Sequence, residues 1–119
     1  MDKTDTELIW ALQTGDMDVV ETKMQTKDVN ESLSSGSKPI HHACDYGQTC
    51  VLEFLISKGA DINAPDKHGF TPLLIATFEE HCNIVKVLLE KGADKDWKGP
   101  DGKTASEVTE NDDIKAMLK

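Results

Sequence analysis

Apolar residues in this chain recur at helical spacing, and the whole pattern then recurs as a block. In the stretch 83–92, Ile84, Val85, Leu88 and Leu89 fall at i, i+1, i+4 and i+5, one face of a helix. Val51, Leu52, Leu55 and Ile56 make the same face 33 residues earlier. Each stripe runs into a glycine, Gly59 or Gly92, placed to end its helix in the left-handed conformation. Ahead of the later stripe lies a shorter apolar segment, Thr71–Glu79, TPLLIATFE. Thr71 is expected to cap a helix, and Pro72 suits its first turn, where no N–H is required. Leu73 and Ala76 give it a narrow stripe with small residues for close packing. A turn is predicted at Glu80–Cys82. The apolar–polar alternation of a strand is absent throughout.

The blocks are periodic. KGAD occurs at Lys58–Asp61 and again at Lys91–Asp94. Asp28, Asp61 and Asp94 are spaced by 33, as are Asn30 and Asn63, and Pro39, Pro72 and Ala105. One helix pair cannot bury its own apolar face, so such units stack until a continuous core exists. The prediction is a single all-α domain over residues 1–119, a solenoid of four helix-pair repeats at approximately 5–30, 34–63, 65–96 and 101–119. The outer two are expected to be irregular caps. Repeat one has 13 residues from Gly15 to Asp28 where repeat two has 14 from Gly47 to Asp61, and it lacks a capping glycine before Asp28. In the last repeat Ile114 follows Ala105 by nine residues, whereas Ile84 follows Pro72 by 12. Its second helix should therefore begin early, and Ser106 falls in an apolar slot.

Composition narrows the function. The chain is 5% aromatic, which suits thin aliphatic layers better than a wide core. Its net charge is −9, from 22 acids against 13 bases. That argues against nucleic acid as a partner, which needs a basic footprint, and favours a basic protein surface. No run of 18 apolar residues is present, so no membrane span is expected, and the N-terminal stretch has no apolar core of signal-peptide type. Cys44, Cys50 and Cys82 are odd in number with no close pair, the pattern of reduced thiols in the cytosol. His41, His42, His68 and His81 form no i, i+4 pair beside a carboxylate, so no metal or other cofactor is expected. There is no glycine-rich phosphate loop and no nucleophile with a recognisable base motif, so the chain reads as a binding protein and not an enzyme.

KPIHHA, GFTPLLIA and the two KGAD endings resemble the ankyrin repeat. The resemblance implies a stack whose turn tips and first helices line a concave groove. Aligning the first helices puts Trp10, His42 and Ile75 in one groove-facing column, Gln13, Asp45 and Phe78 in the next, and Thr14, Tyr46 and Glu79 in a third. Exposed aromatics there are typical binding anchors. His41 fits the family's structural histidine, His81 a histidine at the start of the second helix, and Cys44 a slot that usually holds alanine. Lys38 replaces the family threonine in repeat two, Leu74 replaces the histidine in repeat three, and Glu80 stands where glycine is usual.

A narrower resemblance is carried by WALQTGDMDVV, GADINAPDKHGFTPLL and KGADKDWKGPDGKTA. It is to small ankyrin proteins that bind the alpha/beta heterodimer of actin capping protein and hold it off filament barbed ends. The resemblance implies a monomeric, cytoplasmic regulator of the actin cytoskeleton, with the nucleus as a second location. With the groove columns it selects Trp10, Asp45, Tyr46, His68, Phe70 and Phe78 as partner-binding residues. The serine-rich finger at Glu31–Ser37 is less charged than its counterpart in that group. The alternative reading is a general ankyrin adaptor, for instance for transcription factors.

Overall fold

A computed structural model describes residues 3–25, 28–33 and 35–118. Ser34 and Lys119, where the second repeat is expected to begin and the last to end, lie outside the described residues, as does Thr26, where repeat one lacks its capping glycine. Eight helices are described, as four pairs: α1 (Lys3–Thr14) with α2 (Met17–Lys23), α3 (Pro39–Asp45) with α4 (Thr49–Ser57), α5 (Pro72–Phe78) with α6 (Cys82–Glu90), and α7 (Ala105–Val108) with α8 (Asp112–Met117). No strand occurs among the described residues. The first helices form one layer, with α3 between α1 and α5, and α5 against α7. The second helices form the other, with α4 between α2 and α6, and α8 on α6. The stack measures 39 × 24 × 21 Å.

Three residues of each stripe read from the sequence are core, while the fourth, Ile56 or Leu89, is half-buried and packs against it. Val51, Leu52, Leu55, Ile84, Val85 and Leu88 are buried, joined by Leu8, Leu12 and Val20 from repeat one and Ala105, Ile114 and Leu118 from repeat four. Thr71 caps α5 by accepting a hydrogen bond from the Leu74 N–H. Gly59 and Gly92 both adopt a φ of 94°. Beyond them the Ala60 N–H reaches the Leu55 carbonyl at 3.0 Å and the Ala93 N–H the Leu88 carbonyl at 2.9 Å, the bonds that close a left-handed helix end.

Repeats are tied by polar bonds at the same period. The Asn30 carboxamide oxygen accepts from the Asp61 N–H at 2.7 Å, and that of Asn63 from the Asp94 N–H at 2.8 Å. Three tight fingers project between the helix pairs, closed by N–H to carbonyl bonds from Leu33 to Ser37, Asp66 to Phe70 and Gly99 to Lys103.

The last repeat is short. Only Thr109–Asn111 separate α7 from α8, so the second helix does begin early. The expectation for Ser106 is corrected. Its counterpart Leu73 is buried, but Ser106 is exposed, because α7 is a single turn and buries Ala105 instead.

Candidate protein-binding surface

The first-helix layer is held in position by histidines and glycines. His41 Nδ1 accepts from the Lys38 N–H at 3.0 Å, and its Nε2 lies 2.7 Å from the Ala64 carbonyl of the next repeat. A carbonyl only accepts, so Nε2 carries the proton and the ring is neutral. Burial lowers the His41 pKa in keeping with that, although the Ala64 bond and the Asp66 charge oppose it. His81 makes the corresponding link one turn away, donating from Nε2 to the Asp45 carbonyl at 3.0 Å. Gln48 Nε2 does the same to the Gln13 carbonyl at 2.8 Å.

The Gln48 and His81 links pack against a glycine at the end of the preceding repeat's first helix. Gly15 and Gly47 have φ of 81° and 69°. A Cβ on Gly47 would lie 2.9 Å from the His81 ring. The third such position is Glu80, with φ 56°. Its neighbour in the shortened last repeat is Asn111, which reaches out to donate to the Glu80 carboxylate at 3.2 Å rather than stacking on the backbone. That is how a side chain is accommodated where the family pattern has glycine.

On this scaffold the predicted binding residues take three kinds of place. Asp45 is exposed and shares a hollow with Ser37, His42, Asp66 and Ile75, where the fingers meet the first helices. His42 is half-buried there rather than free, its Nε2 2.9 Å from the Ser35 hydroxyl, and burial lowers its pKa. His68 is exposed on the finger, its N–H bonded to the Asp66 carboxylate at 2.8 Å. Tyr46, Phe78 and Trp10 are 49%, 50% and 59% exposed. Tyr46 and Phe78 stand at or beside the C-terminal ends of α3 and α5. Trp10 sits apart from the Asp45 hollow, over an apolar recess formed with Thr6, Glu7 and Val19 on the outer side of repeat one. Phe70 is half-buried at the base of its finger and meets Phe78 edge to face. Trp97, which follows the capping loop of repeat three, is exposed.

Two ties were missed by sequence reasoning. Lys67 Nζ donates to the Ser35 carbonyl at 2.8 Å, joining the second finger to the first. The Asn30 and Asn63 side chains bridge repeats, a role their 33-residue spacing was sufficient to suggest. Among the described residues no group of three His, Cys, Asp or Glu side chains is placed to hold a metal ion, and no helix is long and apolar enough to cross a membrane. Cys44, Cys50 and Cys82 are free thiols, and burial pushes that of Cys44 far up, so it stays protonated.

Paired antiparallel helices in two layers, three projecting fingers and a 33-residue ladder of polar links define a repeat scaffold for binding protein. A family model for ankyrin repeats, in three copies, matches residues 8–98, and the chain belongs to the ankyrin-repeat family. It is similar over nearly its whole length to myotrophin. Identity is 56% to the Xenopus tropicalis protein over 115 residues, 96% of this chain and 98% of that one. It is 57% to the human protein over 116 residues, 97% of this chain and 98% of that one. Human BCL-6 corepressor-like protein 1 is 31% identical over 110 residues, 91% of this chain but 6% of its own length. The chain is thus a myotrophin-like, protein-binding ankyrin module.

Proposed function

We propose that this protein binds the alpha/beta heterodimer of actin capping protein and holds it off filament barbed ends, so that elongation continues. The observation that carries the reading is an exposed aromatic on each of the first three repeats, with exposed carboxylates near it in the chain: Trp10 with Glu7, Tyr46 with Asp45, and Phe78 with Glu79 and Glu80. Apolar anchors supply affinity and the carboxylates supply complementarity to a basic target. The resemblance to myotrophin-like proteins supplies the identity of that target. The protein acts as a monomer in the cytoplasm, by steric block and without catalysis.

Capture from cytosol on the immobilised protein, followed by mass spectrometry, tests the reading. Both capping-protein subunits are expected as the main prey in equal amounts. Transcription factors as the main prey, with capping protein absent, would replace this reading with the adaptor reading.

A further inference from the structure

Phe70 and Phe78 come from different parts of repeat three, the finger and the C-terminal end of the first helix. Their ring centroids are 5.3 Å apart with planes at 87°. In such an edge-to-face pair the positive rim of one ring meets the negative face of the other. The two partners differ in exposure. Phe78 is 50% exposed, while Phe70 is half-buried and packs on the core. Phe70 is itself held from behind. Its N–H donates to the Asp66 carboxylate at 3.0 Å, and its carbonyl accepts from the Asp66 N–H at 2.8 Å. The finger's main chain is thus closed at Phe70, whose half-buried ring, packed on the core, meets the exposed one.

We propose that Phe70 is a positioning residue: it holds the Phe78 ring in one rotamer before the partner arrives, so that Phe78 docks as a preformed anchor. The proposal rests on the binding reading above. Its physical basis is entropic. An exposed aromatic at a helix end samples several side-chain rotamers, and a partner that fixes one of them must offset the lost freedom. The edge-to-face contact makes that selection within the free protein. Phe70 thus acts on the partner through Phe78, not by its own contact.

Two measurements test this, and they fail separately. The first needs no partner. Three-bond couplings to the Phe78 β-protons should report a single χ1 rotamer in the native protein and in Phe70→Tyr, and averaged values in Phe70→Leu, which keeps the apolar bulk but removes the ring. Averaged couplings in the native protein, or a single rotamer in Phe70→Leu, overturn the proposal. The second is a double-mutant cycle on capping-protein binding. Phe70→Leu should weaken binding by about three- to tenfold, the size of an aromatic pair, while Phe70→Tyr stays within about twofold. Once Phe78→Ala is present, Phe70→Leu should have no further effect. Full additivity of the two substitutions would mean that Phe70 acts on its own and would overturn the proposal. Failure of the native protein to bind capping protein removes the proposed function, and the coupling measurement still decides the role of Phe70.

Discussion

His41 links the second repeat to the third through two bonds that only its neutral form can make together, since Nδ1 accepts from Lys38 while Nε2–H donates to Ala64. A proton on Nδ1 abolishes the first. Burial accordingly lowers its pKa below the ordinary 6.5, and that of His42 moves the same way for the same reason. In the unfolded chain both titrate near the ordinary value, so over the window below it the unfolded state binds more protons than the folded one. The stabilisation is complete above pH about 6.5 and is lost as pH falls through the lowered values. Thermal unfolding should show the melting temperature dropping as pH falls below about 6.5, and His41→Asn should flatten that drop while lowering stability above it. Equal pH dependence in the two proteins would contradict this account. Gly47 makes a second residue-level case. Ala at this position needs a left-handed backbone, which costs about 1–2 kcal/mol, and its Cβ would displace the His81 ring from Asp45. Chemical denaturation of Gly47→Ala should show at least that loss; an unchanged midpoint would remove the glycine argument. His41 and His81 were legible as structural residues from their places in the repeat. The pairing of Phe70 with Phe78 was not, because it depends on how the finger folds back over the helix, and no periodicity encodes that.

The elements differ in how much of themselves they bury. α4 and α6 carry full apolar stripes and are covered on both sides by neighbouring helices. α7 is one turn long and buries Ala105, and α2 buries Val20 as its one fully enclosed side chain. Amide exchange should therefore be slowest in α3–α6 and faster in α7 and α8, with α1 and α2 between or near the fast end. Uniform protection along the chain would contradict this. The central helices were legible because burial on both faces imposes a repeating stripe with a cap at each end. The last repeat was legible only in outline. Its early second helix follows from the position of Ile114, but the exposure of Ser106 does not, since a slot copied from a fully covered repeat is open in a helix of a single turn. The tolerance of Glu80 has the same origin: the shortened repeat presents Asn111 where the earlier joints present Gln48 and His81.

Across the whole molecule, acids exceed bases by nine, and on the first-helix side Asp45, Glu79, Glu80 and Glu110 lie exposed near the aromatic anchors. Such a face attracts a basic partner over a distance set by salt. Asp45→Lys should slow association with capping protein, and more so at low ionic strength than at high, because screening shortens the reach of the reversed charge. Stopped-flow association rates at two salt concentrations check this, and an effect independent of salt would mean that Asp45 is not on the encounter surface. The stacked fold was legible at this scale from the period, and the binding class of function from the resemblance to ankyrin repeats. The exact geometry of the face was less so, since the columns aligned by counting residues put Trp10 beside His42, whereas the folded chain sets it against Val19 in its own recess. The account as a whole turns on inhibition of capping. The most direct measurement is the rate of pyrene–actin elongation from barbed ends in the presence of enough capping protein to stop it. An excess of this protein should restore elongation in proportion to the capping protein it occupies; elongation that stays blocked at every concentration would contradict the account.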